Sequence, residues 1–175
     1  MKSLSVGGIL LREEQPSDIL AIHALTAAAF APMPFSNGSE YYVIDQLRAD
    51  GDLTLSLVAE DAEENKGAII GHIAFSPVTI SDGTADWYGL GPVSAAPALQ
   101  KTGIGSKLIR FGIGELEERG AKGIVLIGST DYYPRFGFEH RPDLTYAGGP
   151  PEAFQVLLLE GEWPSGAVSY SPAFS

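Results

Sequence analysis

Polar and apolar positions alternate along residues 53–61, "LTLSLVAED", with the two-residue period of a strand. The same pattern predicts a first strand over Gly8–Glu13 and a long one over Ala68–Ile80, bent or ended near Pro77. Trp87–Pro97 reads as a further strand disturbed by Gly89, Gly91 and Pro92. Lys122–Gly128 is a short continuous apolar run, as in a central strand covered on both faces. Glu152–Glu160 reads as a last strand. Three stretches carry the helical period instead. Ile19, Ile22 and Leu25 start one behind Ser17 or Asp18 as N-cap, and Ser39 caps a second that ends before Gly51. The third follows "QKTGIG", with Gly105, Leu108, Ile109, Gly112, Ile113 and Leu116 on one face. A short helix or turn over "STDYYPRFGFEH" comes after the apolar run. The tail from 161 to 175, "GEWPSGAVSYSPAFS", shows no regular period. This order predicts one mixed α/β domain spanning 1–175, around a partly antiparallel sheet.

Composition narrows the function. A chain of 175 residues with 45% hydrophobic and 19% charged residues suits one soluble domain. No apolar run reaches the roughly 18 residues that cross a bilayer, and glycines interrupt the N-terminal apolar stretch, which argues against a signal peptide. The absence of cysteine removes disulfide and thiolate chemistry and fits a cytoplasmic protein. A net charge of −11 disfavours nucleic acid and anionic membranes as partners. Lys101, Lys107 and Arg110 gather beside the glycine loop, either as solvated charges or as a patch for a small anion. The three dispersed histidines and lack of cysteine predict no metal site.

The glycine loop raises the question of what approaches its bare backbone. A Walker A loop would need an earlier Gly that is missing here. A Rossmann fingerprint would need Gly where Leu108 stands and a strand directly before the loop. Gln100-Lys101-Thr102-Gly103-Ile104-Gly105 fits a third pattern, Gln/Arg-x-x-Gly-x-Gly/Ala at a strand–loop–helix junction. The first turn of a helix has unpaired N–H groups and a partial positive charge, and residues without side chains let a pyrophosphate reach them.

"LGPVSAAPALQKTGIGSKLI" resembles the acyl-CoA-binding core of the GNAT N-acetyltransferases. That family's second signature is a Tyr four residues before Gly-Phe, which Tyr133 and Gly137-Phe138 match in order and distance. "GHIAFSP" and "SYSPAF" also look like a branch of small acetyltransferases. The resemblance implies the α/β GNAT fold, a mixed, mostly antiparallel central sheet flanked by helices, and an enzyme moving acetyl from acetyl-CoA to a primary amine of a small molecule or peptide. It implies that Val93, Ser94 and Ala95 run beside the pantetheine arm. The amides of Gln100, Lys101, Thr102, Gly103, Ile104, Gly105 and Ser106 would hold the pyrophosphate. Tyr133 would protonate the departing thiolate, with Tyr132 as its rival. Pro134 departs from the usual helical pattern behind that Tyr. A non-catalytic acyl-CoA sensor on the same fold is the alternative.

No single general base stands out: Glu40, His72, Asp86 and a water relay all remain open. Phe30–Tyr42, "FAPMPFSNGSEYY", would wall the acceptor pocket or be a packed loop. The acidic balance favours a cationic acceptor, and a homodimer is left open.

Overall fold

The computed structural model describes residues 2–34 and 36–175. Strand β1 (Ser3–Val6) hairpins into β2 (Ile9–Glu13). Two helices follow, α1 (Ile19–Phe30) and α2 (Glu40–Asp50). Then come β3 (Leu55–Asp61), β4 (Ile69–Pro77), the short β5 (Thr79–Ile80) and β6 (Trp87–Ala95). Helix α3 (Ile104–Glu118) leads to β7 (Gly123–Ile127), β8 (Leu144–Thr145), β9 (Phe154–Leu158) and β10 (Gly166–Ser169).

The main sheet runs β1-β2-β3-β4-β6-β7-β9, and every pair in it is antiparallel except β6–β7. The mixed, mostly antiparallel sheet expected from the sequence is therefore the observed one. A small second sheet, β5-β10-β8, sits beside it. The tail was expected to be irregular, yet it supplies β10. Val168 is that strand's buried residue, and it joins Val78, Ile80 and Trp87 in a separate apolar cluster.

Helix α3 covers one face of the main sheet. Its buried residues are Ile104, Leu108, Ile109, Gly112 and Leu116, packed over Leu57, Ile73 and Phe75. Each large aliphatic side chain fully buried there contributes about 1.5–3 kcal/mol. Gly112 explains one of the helix glycines, because a Cβ at that position would stand 2.5 Å from the Phe75 ring. Gly105 was expected on this face, but Ile104 takes its place and Gly105 turns toward a groove. The opposite face of the sheet receives α1 and α2, where Ile22 and Ile44 pack on Val58.

The helix starts differ in detail from the sequence reading. The Asp18 carboxylate caps no α1 amide. Instead it accepts from Arg12 at 2.7 Å and from the Gln15 N–H at 2.7 Å, and the Arg12 guanidinium holds it below the usual carboxylate range. Ser39 precedes α2, but its hydroxyl donates to Asn37 and caps no backbone N–H. Gly51 does end α2 in the left-handed region, at φ 77°.

Candidate active site

Strands β6 and β7 pair only along Trp87–Gly89 with Gly123–Val125. Beyond that point β6 keeps β4 on one side. Leu90 pairs with Phe75 and Val93 with Ile73, so Gly91 and Pro92 stand against Ala74 alone. This two-against-one bulge bends β6. From Leu90 onward no strand pairs with β6 on its β7 side, and its backbone on that side is open. A cavity of about 660 Å³ lies along the split, lined from β6 by Leu90–Ala95 and from beyond β7 by Gly128, Ser129, Tyr132 and Tyr133.

A second cavity, of about 630 Å³, shares Val93, Ser94, Ala95, Gln100 and Tyr132 with the first and extends to Lys101, Gly103, Gly105, Ser106 and Arg135. The two form one tract from the front of α3, along the free side of β6, to the end of α1.

The loop at the front of α3 has two residues in the left-handed region, Lys101 at φ 68° and Gly103 at φ 94°. For Lys101 this geometry is uncommon, and for Gly103 it carries no steric cost. The first N–H to reach back along the helix is that of Lys107, to the Gly103 carbonyl at 3.0 Å. The N–H groups before it head the helix at its positive end. Gln100 ties the loop to β6 by donating from Nε2 to the Ala95 carbonyl at 3.4 Å. Thr102 and Ile104 line neither cavity. Thr102 donates its hydroxyl to the Leu99 carbonyl, and Ile104 is buried in the core, so their backbone alone is available to a ligand.

The two tyrosines take different places. Tyr133 begins a 3-10 turn, Tyr133–Phe136, with Pro134 just inside it. That position tolerates a proline because the missing N–H needs no partner there. Tyr133 lines only the larger cavity, packs on Gly128, and meets Tyr132 and Phe138 edge-on. Burial, with a smaller contribution from Tyr132, pushes its phenol up to about 12. It holds its proton at neutral pH. Tyr132 lines both cavities, and its hydroxyl lies 3.9 Å from where a Gly105 Cβ would stand.

Arg135 was not singled out from the sequence. Its guanidinium stacks 4.5 Å above the Tyr132 ring, and its Nε donates to the Tyr132 carbonyl at 2.8 Å. This puts a second cation in the lining of the groove that Lys101 also lines. Arg110, by contrast, stacks on Phe136 and lines neither cavity.

None of the three candidate bases lines the tract. Glu40 accepts from Ser36 at the start of α2. Asp86 precedes the far end of β6, where its carbonyl accepts from the Lys122 N–H. His72 is fully buried on β4, with Nε2 at 2.7 Å from the Ser56 hydroxyl, which in turn contacts Glu14. Burial drives the His72 imidazolium down to about 4. Of the Phe30–Tyr42 stretch, Phe30 and Met33 line the larger cavity, Tyr41 packs against His23, and Phe35 lies outside the described residues. Among the described residues no cluster of three metal-ligating side chains occurs, and no helix is long and apolar enough to cross a membrane.

Comparisons with known proteins agree with this architecture. The model of the Acetyltransferase (GNAT) family matches residues 19–138. An uncharacterized N-acetyltransferase of Escherichia coli K12, YhbS, is 34% identical over 173 residues, covering 95% of this chain and 99% of that protein. A crystal structure of YhbS with CoA superposes with a TM-score of 0.86 at 33% identity, covering 99% of this chain and 96% of that one. A GNAT acetyltransferase from Brucella melitensis, solved with acetyl-CoA, is 46% identical with a TM-score of 0.83, covering 95% of this chain and 98% of that one. By the family match and by these relatives along nearly its whole length, the chain belongs to the GNAT acetyltransferase family.

Proposed function

We propose that the chain binds acetyl-CoA in the tract along β6 and transfers its acetyl group to an amine, with Tyr133 as the proton donor to the departing thiolate. The observation that carries this reading is the continuity of the two cavities. One ends at free helix N–H groups and two cations; the other ends at a neutral phenol. The pyrophosphate would sit on the amides of Gly103–Ser106, flanked by Lys101 and Arg135. The pantetheine arm would run along the unpaired edge of Val93–Ala95, as an added strand does. That Brucella melitensis and Escherichia coli relatives were solved with acetyl-CoA and CoA supports this ligand.

The chemistry follows from the groups at the inner end. The neutral amine attacks the thioester carbonyl carbon. A C–N bond forms and the carbonyl oxygen becomes an oxyanion, which a β6 backbone N–H on the open side stabilises. The tetrahedral centre collapses, the C–S bond breaks, and Tyr133 gives its proton to sulfur. The amide nitrogen sheds its extra proton to water, and solvent reprotonates Tyr133. Among the described residues no titratable side chain other than the tyrosines lines the larger cavity, so the proton path from nitrogen runs through water.

The test is Tyr133→Phe in an acetyl-CoA-dependent thiol-release assay. Loss of a positioned acid lowers kcat by about 10²–10⁴-fold. Acetyl-CoA affinity should stay within about threefold, since the phenyl ring keeps its packing. An unchanged kcat removes Tyr133 from the mechanism.

A further inference from the structure

Away from α3, the larger cavity is lined by Ala29 and Phe30 at the end of α1, by Met33 just beyond it, and by Leu90, Ile127 and Tyr133 across the split sheet. The chain carries 22 acidic residues, and none of them stands in this lining; nor does any Lys, Arg or His among the described residues. The charge of the whole molecule points to a cationic acceptor, but the wall of this cavity does not share that charge.

An alkylammonium entering such a site would have to give up its hydration and its proton with no carboxylate to offset either. Burying an ion without a partner costs several kcal/mol. A Lys-type amine, with an ordinary pKa near 10.4, is neutral in only about one molecule in 2,500 at pH 7. An arylamine avoids both costs. Its lone pair is delocalised into the ring, its conjugate acid ionises well below neutrality, and it arrives as the free base. It needs no general base before attack, and none lines the cavity. Its ring matches a wall that carries two aromatic rings, Phe30 and Tyr133, and the polarizable thioether of Met33.

We infer that the acceptor is a weakly basic primary amine on an apolar aromatic body, an arylamine, and not an alkylammonium or a Lys side chain. The inference rests on the acetyl-transfer reading above and concerns the same cavity. The attack and the release of thiol are those already described, the amide nitrogen losing its proton to water.

The test compares two isomeric amines, p-toluidine and benzylamine, with spermidine, in the thiol-release assay with acetyl-CoA. At pH 7 the kcat/KM for p-toluidine should exceed that for each of the other two at least tenfold. It should be flat between pH 6.5 and 8.5, whereas any benzylamine rate should rise nearly tenfold per pH unit. Met33→Glu places a carboxylate in the wall. It should lower kcat/KM for p-toluidine and raise it for spermidine, in a protein that still binds acetyl-CoA by calorimetry. If wild type binds acetyl-CoA but shows no preference for p-toluidine, the arylamine inference falls alone. If wild type does not bind acetyl-CoA, the acetyl-transfer reading falls with it.

Discussion

His72 should make the fold's stability depend on pH in a window of its own. The imidazole has no exposed surface, and its Nε2 is satisfied by Ser56 while Nδ1 has no partner among the described residues. Burial is the main cause of its low ionisation; Arg48 adds to it and Glu14 opposes it. The folded state therefore keeps His72 neutral down to about 4, whereas the unfolded chain takes up the proton near 6.5. As pH falls, the unfolded state binds more protons, and stability falls. The contribution is complete above pH 6.5 and is lost on the way down to about 4. At about 1.4 kcal/mol per pH unit, the interval is worth roughly 3 kcal/mol, most of it lost between about pH 6.5 and 4.5. Asp18, held low by Arg12, loses its contribution only below its ordinary 3.8, beneath that window.

The assay is urea unfolding at pH 7.5, 6.0 and 4.5 for wild type and His72→Gln. The amide can keep a bond to Ser56 but cannot titrate. Its absolute stability will be lower, since the site is close-packed; the comparison is of the change with pH. With an m-value near 2 kcal/mol/M, the wild-type midpoint should drop by roughly 1 M across the range, beyond any drop in the variant. Equal drops in both proteins would show that His72 titrates as an exposed group does and would refute the reasoning.

Gly112→Val should drive a branched side chain into the Phe75 ring, at a cost of about 1–3 kcal/mol in urea unfolding; an unchanged midpoint would contradict the close helix–sheet contact. Gly103→Val should weaken acetyl-CoA binding at least tenfold by calorimetry, because a side chain at φ 94° strains the loop and stands at the groove. Full affinity in that variant would remove the bare-backbone argument.

The sequence made the elements of strong period legible. Leu108, Ile109 and Leu116 define α3, and the apolar run defines β7, buried on both faces from Gly123 to Leu126. The bulge at Gly91-Pro92 was announced by residues that a regular ladder excludes. Strand β1 was not legible, since "SLSV" is mostly exposed and too short to show alternation. Strand β10 was missed because its partners, β5 and β8, are remote in sequence, and only Val168 is buried. The helical period alone puts Gly105 on the buried face; in the fold Ile104, one residue earlier, faces the core instead. The glycine loop and Tyr133, both singled out through the resemblance to the family's signatures, line the tract. Arg135 could not be singled out in this way, because its place over Tyr132 depends on how the chain turns after β7. A cation two residues after the tyrosine pair was the one available signal. The apolar inner wall was hidden too, since charge summed over a chain says nothing about which side chains face a cavity.

The central claim is that the amides at the front of α3 and along the open edge of β6 grip an acyl-CoA. The most direct measurement is a backbone amide NMR titration of the protein with acetyl-CoA. The account predicts saturable shifts, largest at Gly103–Ser106 and at Val93–Ala95, with those of α2 nearly still. Shifts centred elsewhere, or none at millimolar acetyl-CoA, would contradict it.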